Sequence, residues 1–152
     1  MKYLTEKDFD KVWKIFKDNK KWFPHVRTFH VKNRLSREQV ILKDGVLITE
    51  QEYKRTGKIG HDTNVITKKG DRIIHQIINS EPKNGNAEKV IKEYFDYVNT
   101  DVYLTVRDEN IPANKFYKKV GMKKVGYINW SNGNMKGTVW LLSLIHISEP
   151  TR

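Results

Sequence analysis

Apolar residues recur along this chain with two periods, and the switches between them mark out its elements. Phe9, Val12, Trp13 and Phe16 fall at helical spacing, which predicts a first helix over about Glu6–Asn19. Thr5-x-x-Asp8 opens it as an approximate capping box, and Met1–Leu4 reads as a short strand before it. Pro24 breaks the pattern, because a residue ahead of proline is steered away from helix. A weaker helix follows from about His25 to Leu35. Val40–Leu42 and Val46–Thr49 flank Asp44-Gly45, a two-residue hairpin signal, and the second arm can run on through Tyr53. Arg55–Gly70 is polar, holds three glycines and reads as a loop. Arg72–Asn79 carries Ile73 and Ile77 on one face and Ile74 and Ile78 on the other, the pattern of a strand covered on both sides.

Beyond it, Glu81–Ala87 (EPKNGNA) is a turn-rich loop that leads into a helix striped by Ala87, Val90, Ile91, Tyr94, Phe95 and Val98. Val102–Val106 is rich in β-branched and aromatic residues and predicts a strand. Asn110 then stands where an N-cap would, and Pro112 suits the first helical turn. Ala113, Phe116, Tyr117 and Val120 recur at helical spacing up to Gly121, a helix stop. Lys123–Trp130 and Met135–Leu141 are two last strands around the turn Ser131-Asn132-Gly133-Asn134. The order is β-α-α-β-β-β-α-β-α-β-β, an α/β (α+β) domain.

Length and composition add four constraints to this picture. A chain of 152 residues is enough for one domain with its own core. The absence of cysteine excludes disulfides, thiolate metal sites and a cysteine nucleophile. No apolar run approaches the roughly 20 residues of a membrane span, and the N-terminus lacks a secretory hydrophobic stretch, so a cytoplasmic protein is expected. The formal charge of +11 raises a basic nucleic-acid-binding module as an alternative. Against it, Lys and Arg are dispersed without a block. A positive field also suits a smaller polyanion.

The spacing V-x-x-x-N-x-x-A-x-x-F-Y-x-x-x-G-M, from Val106 to Met122, resembles the C-terminal half of the cofactor site in the GNAT superfamily of N-acetyltransferases. The element order matches that fold too, which implies a mixed central sheet. The resemblance implies acetyl-CoA as acetyl donor and an amine as acceptor, with Asn110 and Tyr117 beside the cofactor and Tyr117 as general acid toward the leaving thiolate. It also implies that backbone N–H groups near Ile78, Asn79 or Ser80 polarise the thioester carbonyl, and that Trp22, Phe23 and His25 border the acceptor pocket. Packing remains the plain alternative for Tyr117 and for these aromatics.

Asn84-Gly85-Asn86-Ala87 fits a phosphate site on physical grounds, because a glycine-bearing loop at a helix start presents free amides and the helix dipole. Against the family pattern Q/R-x-x-G-x-G/A, Gly85 and Ala87 take the small positions and Pro82 replaces the Gln or Arg. His75, on the face of Ile73 and Ile77, is expected to be buried and neutral, either as general base or as a hydrogen-bonded core residue. Glu50 and Glu52 on the neighbouring strand are its rivals. No metal-ligand spacing is visible. The pattern also leaves room for a protein that binds acetyl-CoA without turnover, and it does not identify the acceptor.

Residues Leu142–Arg152 (LSLIHISEPTR) resemble the translated read-through of a transposase adapter used in sequencing libraries. The expectation is a GNAT domain over residues 1–141, an artefactual tail over 142–152, and a phage-like or environmental source.

Overall fold

The computed structural model describes residues 1–143. The helices are α1 (Phe9–Asp18), α2 (Thr28–Ser36), α3 (Asn86–Val98) and α4 (Ile111–Lys119). The strands are β1 (Val40–Lys43), β2 (Val46–Glu52), β3 (Gly57–Lys58), β4 (Asp62–Thr63), β5 (Ile66–Thr67), β6 (Arg72–Asn79), β7 (Val102–Arg107), β8 (Lys123–Trp130) and β9 (Met135–Leu142). Strands follow one another in the order β1-β2-β6-β7-β9-β8-β4, while β3 and β5 form a separate pair. The sheet is mixed: β6 runs parallel to β7, and β7–β9 and β9–β8 are antiparallel.

The chain forms two compact units, Met1–Glu50 with His75–Tyr94, and Gln51–Ile74 with the chain from Phe95 onward. In the first unit, α1 buries Val12, Ile15 and Phe16, the stripe its spacing dictates. They meet Val31 and Leu35 of α2 and Val40, Leu47 and Ile78 of the strands. Phe16 truncated to Ala is expected to cost about 3–5 kcal/mol. The β1–β2 hairpin turns on Asp44 and Gly45, both at positive φ (48° and 78°), the pairing that matches strand twist.

The second unit packs Val65, Tyr103, Ile128 and Val139 into its own cluster. There β6 pairs with β7 through Arg72, Ile73 and Ile74 against Val102, Tyr103 and Leu104.

Four expectations need correction. Met1–Leu4 is no strand; only Tyr3 bridges to Ile41. The first helix opens with a 3-10 turn, Glu6–Asp8, where the Thr5 N–H donates to Asp8 Oδ2 at 3.0 Å. The second helix starts at Thr28 rather than His25, since Pro24 and His25 themselves form a turn and Val26 and Arg27 follow it without helix. Arg55–Gly70 holds three two-residue strands, of which β4 pairs with β8. Side-chain bonds to the β8 backbone order that loop: Thr63 Oγ1 donates to the Tyr127 carbonyl at 2.6 Å, and Asn64 Oδ1 accepts from the Tyr127 N–H at 2.9 Å. Polar side chains bonding to backbone leave no apolar period to read. At the other end β9 includes Leu142, paired with Val102; residues 144–152 of the expected tail lie outside the described residues.

Candidate functional site

In the first unit, β6 ends at Asn79 and α3 begins at Asn86, and the loop between them is braced from within. Asn86 Oδ1 accepts from Asn79 Nδ2 at 2.8 Å and from the Lys83 N–H at 3.1 Å. Its Nδ2 donates to the carbonyls of Asp44 (3.0 Å) and Glu81 (3.1 Å) and to Asn79 Oδ1 (3.1 Å). Asn86 therefore spends its side chain on loop shape, while Asn79 pairs with it through one N–H and one lone pair and keeps a second N–H for other partners. Ser80 is committed as well: its N–H and its hydroxyl both donate to the Gly45 carbonyl, at 2.8 and 2.6 Å. Of the sequence-derived carbonyl-polarising candidates, Ser80 has no free donor, and Ile78 is buried in the strand.

The same bracing leaves the start of α3 open. Gly85 sits at φ +69°, a left-handed conformation that side chains disfavour, and nothing lies within 4 Å of where a Cβ would project. Among the described residues no hydrogen bond takes the backbone N–H of Gly85, Ala87 or Glu88. The first bond into the helix is Lys89 N–H to the Gly85 carbonyl at 3.0 Å. Free amides, an aligned dipole and an uncovered glycine fit a phosphate group. Asn84 is exposed beside them.

Two cavities lie in this unit around the link between α1 and α2. One, of 250 Å³, is lined by Phe16, His25, Val26, His30, Val31, Arg34 and Gln76. The other, of 470 Å³, includes Trp13, Lys17, Lys20, Phe23, Pro24 and Arg27 and shares Phe16 and Val26 with the first. His25 and Phe23 thus each line one cavity. Trp22 lines neither and is 62% exposed. Arg34 is a cavity residue that the sequence reading missed; an arginine on the weak helix α2 carried no periodic signal.

His75 corrects an expectation. It is exposed on β6 rather than buried. Desolvation by surrounding protein, and then the Arg34 cation, nevertheless lower its pKa to about 4. Glu50 is the buried group instead, 1% exposed, with Tyr3 Oη and Tyr94 Oη donating to its Oε1 at 2.8 and 2.9 Å. Its parity with Val46 and Ile48 on β2 was the available signal. Glu52 is half-buried and paired with Lys54 at 2.9 Å.

In the second unit, Asn110 caps α4 by accepting from the Ala113 N–H at 3.2 Å. Asn114, one turn on, donates to the Arg107 and Asn110 carbonyls at 3.1 and 2.9 Å and accepts from the Trp140 indole at 3.0 Å. Trp140 in turn lies 6.4 Å from the ring of Tyr117, which also meets Phe116 edge-on at 5.8 Å. Tyr117 is half-buried, and burial pushes its pKa up to about 12. Its hydroxyl makes no hydrogen bond among the described residues. Helix α4 therefore holds one aromatic hydroxyl, that of Tyr117, open to donate.

No family model and no curated protein matches the chain. Solved structures do. NAA60 of Arabidopsis thaliana in complex with acetyl-CoA is similar at 16% identity and a TM-score of 0.68, covering 93% of this chain and 96% of that one. A GNAT-family acetyltransferase from Bacillus cereus ATCC 10987 is similar at 13% identity and 0.64, covering 94% of each chain. An N-acetyltransferase from Staphylococcus aureus Mu50 gives 14% and 0.62, covering 93% of this chain and 98% of that one. At these identities the likeness is one of fold, and this chain has the mixed α+β fold of the GNAT acetyltransferases.

Proposed function

We propose that this protein is an N-acetyltransferase that moves an acetyl group from acetyl-CoA to an amine, with residues 1–141 as the catalytic domain and the cytoplasm as its place of work. The observation that carries the reading is the open start of α3, with unbonded amides at Gly85, Ala87 and Glu88, in a chain with the GNAT fold.

Acetyl-CoA would supply a thioester carbonyl carbon to which the amine nitrogen bonds as the carbon–sulfur bond breaks. The α3 amides hold the phosphates, with Asn84 at the rim. The strand amide at Asn79 serves the carbonyl oxygen, the candidate left after Ser80 is bonded to Gly45 and Ile78 is buried. Asn110 Nδ2 remains open for the donor, because only Oδ1 is used in capping. Tyr117 serves the leaving sulfur. With its pKa raised to about 12, full proton transfer to a thiolate whose thiol titrates near 8.5 would cost about 5 kcal/mol. Tyr117 therefore acts first as a hydrogen-bond donor to the developing thiolate. His75, exposed on β6 and neutral at pH 7, would relay the amine's proton to water, since its pKa of about 4 is too low for it to keep that proton. Glu50 is the alternative, a carboxylate oriented by two tyrosine hydroxyls.

The high pKa of Tyr117 and Pro82 in the loop favour a second reading, binding without turnover. One experiment separates the two. Acetyl-CoA should raise the melting temperature, since it binds the native state, and an amine panel should then release free thiol. No thermal shift at millimolar acetyl-CoA sinks both readings; a shift without thiol release leaves only binding.

A further inference from the structure

The smaller cavity has a lining whose polar groups are nearly all donors. Arg34 is half-buried there, and among the described residues it meets no carboxylate; its one hydrogen bond is a 3.4 Å contact from Nη1 to the neutral Gln39 Oε1. The Thr49 hydroxyl donates to Gln76 Oε1, which leaves the Gln76 amide nitrogen as that side chain's open group. His30 Nδ1 accepts from the Arg27 N–H at 2.9 Å, so the proton of its ring sits on Nε2, another donor. Phe16, Val26 and Val31 supply the apolar wall. No Asp or Glu lines this cavity or its larger neighbour, which instead adds Lys17, Lys20 and Arg27.

A guanidinium, an amide nitrogen and a ring N–H lining one cavity with no carboxylate among them are complementary to a group that only accepts, and a planar carboxylate matches the arginine fork. A polyamine or aminoglycoside would find no counter-charge here. The volume of 250 Å³ suits a ligand of amino-acid size. We propose that the acceptor is a small amine that also carries a carboxylate, an amino acid with an apolar side chain, and that Arg34 and Gln76 hold the carboxylate while Phe16, Val26 and Val31 hold the side chain. This rests on the acetyl-transfer reading for the fate of the amine, and on the cavity alone for recognition of the carboxylate.

The test compares L-leucine with isopentylamine and L-phenylalanine with phenethylamine, with spermidine as the polycation, at fixed acetyl-CoA. The expected result is a lower KM for each amino acid than for its decarboxylated partner. Arg34→Gln should raise the amino-acid KM by about tenfold to a hundredfold, the usual worth of a charged hydrogen bond, and so collapse the discrimination. Arg34→Lys should recover part of it. Preference for the decarboxylated amines or spermidine, or an equal effect of Arg34→Gln on both members of a pair, overturns the carboxylate site and leaves acetyl transfer standing. Should no amine be acetylated, calorimetry with L-leucine and L-phenylalanine decides independently. Binding that Arg34→Gln abolishes upholds the site without the transferase reading; no binding to the wild type overturns the site.

Discussion

The starts of α3 and α4 face the same problem, backbone amides without intrahelical acceptors, and meet it by opposite means. At α4 a side chain closes the end: Asn110 Oδ1 takes the Ala113 N–H, and Asn114 ties the turn to the Arg107 and Asn110 carbonyls. At α3 the asparagine is spent on the loop instead, and Gly85, Ala87 and Glu88 keep their amides unbonded. A capped start stabilises the helix and can serve a ligand only through side chains nearby. An uncapped start forgoes a cap of roughly 1 kcal/mol and keeps a positive site for an anion. The position of the asparagine, one residue outside the helix or one residue inside it, decides which kind of end results.

The sharpest way to break this contrast is Gly85→Val. Its left-handed φ strains a β-branched residue by about 1–2 kcal/mol, yet a Cβ meets nothing within 4 Å, so the protein should still fold. Acetyl-CoA affinity, read by calorimetry, should fall about a hundredfold as the amides turn away. Undiminished affinity would remove the α3 start from the binding reading. On the closed helix, Tyr117→Phe should lower kcat by about tenfold or more while leaving acetyl-CoA affinity intact. An unchanged kcat in a folded variant removes Tyr117 from the chemistry.

Asn86→Ala tests the brace. It deletes bonds to Asn79, Lys83, Asp44 and Glu81, which should cost about 2 kcal/mol in urea unfolding and weaken acetyl-CoA binding as well. Asn110→Ala should cost about 1 kcal/mol, with Asn110→Asp restoring it. If the Asn86 change left the loop's ligand affinity untouched, the two asparagines would not differ in the way described.

The smallest expected effect concerns His75. Its folded pKa, about 4, lies below its unfolded value near 6.5, so the unfolded chain binds the proton first as pH falls. Stability should therefore be lost as pH drops through the window from about 6.5 to about 4. His75→Gln should flatten that part of the profile only slightly, because the ring is exposed. A steeper acid limb in the variant would reverse the sign.

Elements with a long apolar period were legible in the residue pattern alone: α3, β6, β7, α4 and β8 fall within a residue or two of their expected bounds. The Asn110 cap was legible for a similar reason, since one side chain bonding three residues away is a local matter. The small strands of the Arg55–Gly70 segment were not, because polar side chains bonded to distant backbone order them. Nor was the exposure of His75, which two equally apolar faces of β6 could not reveal.

The residue pattern alone dictated the order of the long helices and strands, the hairpin at Asp44-Gly45 and the hydroxyl at Tyr117, because hydrophobic period, turn conformation and residue identity act over a few neighbours. Only the tertiary structure decided that Asn86 braces a loop, that Glu50 is buried between two tyrosines, and that Arg34 faces a cavity without a carboxylate. Those facts depend on partners 30 to 50 positions away or on a gap between packed elements, and no local pattern encodes either.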